Sequence, residues 1–319
     1  NIISIYFNME PVPYDKRNGK IWFNGQVIDW KDAKLHVLTH GLHYGSCVFE
    51  GERVYNGEIF KLREHTDRLI YSARRMGFEI PYTVDQIDQA CNEIIKIQNV
   101  QNGYVRPVAW RGSEMMAISA QKNKIHFAIA TWEWGSYFDP KIKEHGIKLN
   151  VSKWRRPAPN TIPWDTKAAG LYMICTLSKH EAEKDGFNDS LMLDHEDFVA
   201  EATGANIFFL NEETKEIHTP IPDCFLDGIT RRTIIDIAKE KGFKIIERKI
   251  KLEELKNFEA CFCLLNEKVS LPATYSKYLY ISNFLRRSIA NFSCLFVQTP
   301  IEIFLIFAHF KNSMDPLSG

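Results

Sequence analysis

Asn24-Gly25 stands between two short strand-forming runs, Ile21-Trp22-Phe23 and Gln26-Val27-Ile28. An Asn-Gly pair favours the left-handed backbone of a two-residue hairpin turn, so the folded part of the chain opens on a hairpin. Glu64 to Met76 follows as a helix with Leu69, Ala73 and Met76 on one face. Thr83 to Asn99 is a stronger helix. Thr83 and Gln86 form a capping box, and Ile87, Cys91, Ile94 and Gln98 step at helical spacing. Lys124 to Trp132 is β-branched and aromatic, as a strand requires. Hairpin, helices and strand in this order describe an α+β unit.

Tyr137 to Gly146, with Asp139-Pro140 and a run of charges, reads as a link to a second unit. Beyond it, Ile147 to Trp154 reads as a strand, and Gly170 to Lys184 as a helix stopped by Gly186. Three short strands are expected at Ser190 to Leu193, Phe198 to Ala200 and Asn206 to Leu210. Thr230 to Lys241 is an amphipathic helix, with Ile234, Ile237 and Ala238 inward and Gly242 past its end. The expected division is an N-terminal extension over 1–20, a small α+β domain over 21–140, a larger domain over 141–263 and a tail over 264–319.

The chain's 319 residues carry 40 basic and 40 acidic side chains, so no field draws it to nucleic acid or an anionic membrane. The seven cysteines contain no CxxC pair, which fits free thiols in a reducing cytoplasm better than disulfides or a zinc site, and no metal is expected. Asn1 to Asn8 makes a poor signal peptide, and Met9 is read as the natural start. Phe292 to Phe310 is apolar, but Gln298, Pro300 and Glu302 interrupt it, against a membrane span.

Chemistry concentrates around Lys167, in Asn160-Thr161-Ile162-Pro163-Trp164-Asp165-Thr166-Lys167-Ala168-Ala169-Gly170-Leu171-Tyr172. A buried lysine loses part of its proton affinity and can attack a carbonyl, and small neighbours let a flat cofactor approach the backbone. Gly228-Ile229-Thr230-Arg231 opens a helix, whose N-terminus suits an anion. Tyr104 and Arg106 stand at strand period and face one side. Each feature has an ordinary reading when taken alone. Lys167 and Glu201 could be surface residues, Thr230 a plain N-cap, Arg68 a partner of Glu64, and Tyr44 and Phe49 core aromatics.

Taken in series, these segments resemble the class IV aminotransferases, and most of all the branched-chain amino acid aminotransferases. The likeness runs from about Ile21 to Phe262 through His40-Gly41-Leu42-His43-Tyr44-Gly45-Ser46-Cys47-Val48-Phe49-Glu50-Gly51, Glu64-His65-Thr66-Asp67-Arg68-Leu69, Tyr104-Val105-Arg106-Pro107, the Lys167 segment and Phe198-Val199-Ala200-Glu201-Ala202-Thr203-Gly204-Ala205-Asn206. The resemblance implies the two-domain fold type IV, D-amino acid aminotransferase-like, and pyridoxal 5'-phosphate as cofactor. It implies Lys167 as the Schiff-base lysine and proton carrier, and Tyr172 at the cofactor's phenolic oxygen. Glu201, supported by Asn206, falls at the ring nitrogen, and Arg68, Ile229 and Thr230 at the phosphate. Tyr44, Phe49 and Trp134 become pocket walls, and Tyr104 with Arg106 holds the glutarate carboxylate. The implied substrates are branched-chain amino acids and 2-oxoglutarate, and the implied assembly is a homodimer or homohexamer. Arg155 and Arg156 carry no assigned role.

The resemblance stops after Phe262. The family's Thr-Gly-Thr-Ala-Ala-Glu-Val type loop, which supplies phosphate and carboxylate donors, is replaced by Cys263-Leu264-Leu265-Asn266-Glu267-Lys268-Val269-Ser270. A change of reading frame near Cys263 is the expectation, with genuine divergence of the segment as its alternative. DNA reads that continue the present frame with no indel would contradict it. A D-amino acid aminotransferase, an aminodeoxychorismate lyase and a remnant that only assembles with an intact homologue are the alternatives.

Overall fold

The computed structural model describes residues 12–134 and 147–264, and the backbone of 273–275 and 279–281. The expected link at Tyr137 to Gly146, the start before Val12 and the replaced loop beyond Leu264 lie outside the described residues, as does the Phe292 to Phe310 run.

The first half is a seven-stranded antiparallel sheet of β1 (Lys20–Phe23), β2 (Gln26–Asp29), β3 (Cys47–Phe49), β4 (Glu52–Tyr55), β5 (Glu58–Ile59), β6 (Gly103–Arg111) and β7 (Ile125–Glu133), in the order β2-β1-β7-β6-β4-β5 with β3 also on β6. Asn24 and Gly25 both take positive φ, as the hairpin reading requires. A short helix α1 (His40–Tyr44) precedes β3. Helices α2 (Leu62–Arg75) and α3 (Val84–Ile97) bury Leu69, Ala73, Ile87, Cys91 and Ile94 against Val54, Val105, Phe127 and Ile129 of the sheet. The capping box of Thr83 and Gln86 is formed in both directions.

Pro107 sits in the central strand β6, where a missing N–H would ordinarily break a ladder. Its carbonyl accepts from Glu50 N–H at 2.9 Å, at the break between β3 and β4. A residue's N–H and C=O point to the same side of a strand, so the lost donor faces that break and no ladder bond is forfeited. The break matters for the site, because Phe49 and Glu50 lie on opposite faces there.

The second half is a nine-stranded mixed sheet of β8 (Lys148–Arg155), β9 (Asp189–Leu193), β10 (Val199–Ala202), β11 (Asn206–Asn211), β12 (Glu216–Thr219), β13 (Lys244–Glu247), β14 (Ala260–Leu264), β15 (Ala273–Tyr275) and β16 (Leu279–Ile281). Its order is β13-β12-β11-β10-β9-β8-β16-β15, with β14 on β11. Helix α4 (Met173–Lys184) packs on β8 and β9, and α5 (Ile229–Glu240) contacts β13. The core gathers Ile207, Phe208, Phe209, Ile234, Ala238 and Phe262. In α5 the second inward residue is Ile235, and Ile237, expected there, is only partly buried.

The helix expected from Gly170 begins instead as a 3-10 turn over Ala169–Tyr172 and becomes α-helical at Met173. The cause lies upstream. Ala168 is pinned by a bridge to Val48, and Leu171 N–H returns to the Ala168 carbonyl at 3.1 Å. The chain must leave a strand-like contact before a full helical turn can form.

Candidate active site

Lys167 is fixed through its backbone by two elements of the first half. Its N–H donates to Ser72 Oγ on α2 at 3.1 Å, and its carbonyl accepts from Phe49 N–H on β3 at 3.1 Å. Two residues earlier, Asp165 accepts from the Tyr71 hydroxyl and from Arg75 Nε. Ala168 and Leu171 belong to the first-half core. With its backbone clamped, Lys167 lines a cleft of about 440 Å³ with Phe49, Arg68, Tyr104, Arg106, Trp134, Tyr172, Glu201, Asn206, Ile229 and Thr230.

Every candidate except Tyr44 is thus brought together. Tyr44 is 44% exposed and its ring packs on His40 at 4.6 Å. The physical reason is Gly45, which ends α1 in the left-handed conformation and turns the chain before β3. The turn leaves Tyr44 on the outside and Phe49 on the inside, so the sequence reading that paired them as walls of one pocket does not hold within a single chain.

Lys167 Nζ donates to the Tyr172 hydroxyl at 2.9 Å. Burial, helped by the Arg68 charge, lowers the Lys167 amine from 10.5 to about 8. Burial also pushes the Tyr172 phenol upward, so it stays protonated. Glu201 is raised to about 7 by burial, against the pull of Arg156 and Lys167. Asn206 Nδ2 is shared between Glu201 Oε2 at 3.3 Å and the Leu226 carbonyl at 3.0 Å. Behind Asn206 stands Gly228, the N-cap of α5, where an added Cβ would lie 2.2 Å from Asn206 Oδ1. Backbone approaches the site here as only glycine permits.

Arg68 does not pair with Glu64, which takes Lys61 at 2.7 Å instead. Its Nε and Nη2 reach Glu50 Oε1 and Oε2 at 2.7 and 2.8 Å, and His65 Nδ1 lies 2.6 Å from Oε2. Burial alone would raise Glu50, but Arg68 and His65 overcome it and hold the carboxyl far below the ordinary range. Burial keeps His65 below its usual value, so it donates as a neutral ring near pH 7. Arg106 Nη2 donates to the Tyr104 hydroxyl at 3.1 Å, and its guanidinium lies 4.6 Å over the Phe49 ring. Gly51 makes room for that hydroxyl, since a Cβ there would meet it at 1.8 Å.

Sequence reasoning gave no role to Glu50, His65, Ser72 or Arg156. All lay in or beside quoted segments, yet nothing local marks a buried charge whose partner is distant in sequence. Among the described residues, Asp194, His195 and Cys224 form one group within metal-ligand distance of one another. Asp194 already accepts from the amides of Glu196 and Phe198 and from Lys249 at 3.0 Å.

The family described as amino-transferase class IV matches residues 47–266. A probable branched-chain-amino-acid aminotransferase of Rickettsia felis is 45% identical over 242 residues, covering 76% of this chain and 81% of that protein. The branched-chain-amino-acid aminotransferase of Pseudomonas aeruginosa is 41% identical over 243 residues, 75% of this chain and 78% of its own. The crystal structure of the T.th. branched-chain amino acid aminotransferase with pyridoxamine 5'-phosphate aligns with a TM-score of 0.75 at 31% identity, covering 83% of this chain and 85% of that one.

Proposed function

Since the chain belongs to the class IV aminotransferases, a pyridoxal-phosphate-dependent family, and within it to the branched-chain-amino-acid aminotransferases, we propose that it transfers the amino group of L-leucine, L-isoleucine or L-valine reversibly to 2-oxoglutarate. The residues of the cleft fit the cofactor. Arg68 and the first turn of α5, with Ile229 and Thr230, offer a cation and helix N-terminal amides to a phosphate. Glu201, with Asn206 behind it, suits a protonated ring nitrogen. Tyr172 suits the phenolic oxygen, and Lys167 the aldehyde carbon. The glycine at position 228 leaves the cradle open.

Bound there, pyridoxal phosphate supplies the electron sink that makes an amino acid's α-proton acidic. Lys167 Nζ, with its proton affinity lowered by burial, is the group placed to take that proton and return it. Tyr172 stays protonated and so remains a donor beside it. Phe49, Tyr104 and Trp134 exclude water from one side and pack on an apolar side chain.

The observation that carries the substrate reading is Arg106. It is a cation among aromatic rings whose Nε makes no hydrogen bond among the described residues. An apolar amino acid leaves it stacked on Phe49, and the distal carboxylate of 2-oxoglutarate gives it a counter-charge. Arg106→Met is expected to raise KM for 2-oxoglutarate by about 10–100-fold, the loss of one charge-assisted bond. The half-reaction with L-leucine should stay within about threefold of the parent, and D-alanine should be inert. Equal losses for leucine and 2-oxoglutarate would contradict the assignment.

The same proposal includes pairing of two copies. Val37, Leu42, Tyr44 and Ile118 are exposed, and His40 ties α1 to the 112–118 loop through Gly112 and Ala117 carbonyls, so these apolar groups share one surface. A sedimentation mass of a single chain at micromolar concentration would count against it, for the dimer and the hexamer alike. Among the described residues no helix is long and apolar enough to cross a membrane. The six described cysteines are free thiols, which suits the cytoplasmic setting proposed for the enzyme.

A further inference from the structure

Glu201 is approached from two sides. Asn206 Nδ2 is 3.3 Å from Oε2, and Arg156 Nε is 3.5 Å from Oε1. Both contacts are longer than a charge-assisted N–H···O bond, so the carboxylate keeps capacity for a third donor. Arg156 is 4% exposed, at the end of β8. Its Nη1 reaches only the weak acceptor Cys175 Sγ, at 3.4 Å, and its Nε makes no hydrogen bond among the described residues. Holding a guanidinium out of water for a thiol and one long carboxylate contact is a poor structural use of a cation. It is a good use where a buried carboxylate has to stay charged.

We propose that Arg156 is a positioning residue for Glu201, keeping its carboxylate ionised and turned into the cleft so that it accepts a proton-bearing ring nitrogen. The inference rests on the reading of the cleft as the pyridoxal phosphate site. It adds the residue that acts through Glu201.

The groups around Glu201 divide clearly. Arg156, one residue past β8, and Lys167 from the loop before α4 favour its ionised form, and burial opposes them. Tyr172 and Cys175, at the start of α4, and Cys224, in the segment between β12 and α5, are raised by burial and stay neutral. Asn206 on β11 is uncharged. Lys167 would be engaged by the cofactor aldehyde and its nitrogen would titrate there, whereas the Arg156 guanidinium is always charged, so Arg156 is the fixed cation beside the carboxylate.

The test is a pH titration of the full cofactor-free chain by difference infrared spectroscopy. The Glu201 carboxylic acid band is assigned by its loss in Glu201→Gln. In the parent chain the band should vanish with a midpoint near pH 7. In Arg156→Gln the midpoint should rise by about one to three pH units, and in Arg156→Lys it should stay near the parent's. Pyridoxal phosphate affinity at pH 7.5 should fall at least about tenfold in Arg156→Gln and be largely restored in Arg156→Lys. On the intact parent chain, the Arg156 Nε–H resonance should shift with the same midpoint, so the idea stays testable even if Arg156→Gln fails to fold. A Glu201 midpoint indifferent to Arg156→Gln, or an Nε–H resonance indifferent to pH, overturns the role. A parent chain that takes up no pyridoxal phosphate overturns the cofactor reading and this role with it. Equal binding by parent and Arg156→Gln overturns Arg156 alone.

Discussion

Lys167→Ala is expected to remove the covalent attachment of the cofactor and to slow amino transfer by at least about 10²–10⁴-fold, the range for a lost general base. Borohydride reduction followed by peptide mapping should place the cofactor adduct on Lys167 in the parent and find none at this position in the variant. The pH dependence follows from the same residue. Only the neutral amine attacks an aldehyde, and the folded chain lowers the Lys167 amine to about 8. Uptake of pyridoxal phosphate by the cofactor-free chain should therefore slow by about tenfold per pH unit below that value and level off above it. An ordinary exposed lysine would go on accelerating to about pH 10.4. Stopped-flow absorbance between pH 6 and 10 separates the two.

Glu50→Gln should carry the largest cost in stability, about 3–5 kcal/mol, because it leaves Arg68 a buried cation without its carboxylate. Glu50 is held far below its ordinary value, so its contribution is fully present above the unfolded value of about 4.3 and is lost as pH falls through the depressed folded value. The variant should accordingly differ most from the parent at neutral pH, and least in strong acid. Its neighbour Glu52 behaves in the opposite sense. Both Glu52 oxygens are buried without a hydrogen-bond partner among the described residues, and burial, aided by the Glu50 charge, raises the carboxyl well above 4.5. The folded chain keeps a proton there that the unfolded chain releases, so stability falls as pH rises above the unfolded value. Glu52→Gln preserves the neutral form and should raise stability at pH 7. Urea unfolding midpoints of the two variants should therefore move in opposite directions. Movement in the same direction would mean that the two carboxyls share one ionisation state.

Elements with a strong local signal could be read from the sequence. Asn24-Gly25 and the Thr83–Gln86 box each carry their geometry within four residues, and both form as read. Strand β6 was recognised only through Tyr104 and Arg106, because Pro107 argues against a central strand until the Glu50-Gly51 break opposite it is known. The 3-10 turn before α4 is set by Val48, far away in sequence. In the cleft, Lys167, Glu201 and Arg68 stand out by the company of their own segments. Their supports do not. Glu50 is 18 residues from Arg68, and Arg156, just past β8, meets Glu201 on β10 only across β9. Tyr44 shows the reverse limit: a residue five positions from Phe49 is carried to the outside by one left-handed glycine.

Every role assigned to the cleft requires that this chain, with its altered segment after Phe262, works as a pyridoxal phosphate aminotransferase on branched-chain amino acids. The most direct measurement is the visible absorbance of the purified chain with pyridoxal phosphate, followed on adding L-leucine and then 2-oxoglutarate. A yellow band, absent in Lys167→Ala, should form, bleach with L-leucine and return with 2-oxoglutarate. A band that L-leucine leaves unchanged, or no band at all in the parent chain, would contradict those roles.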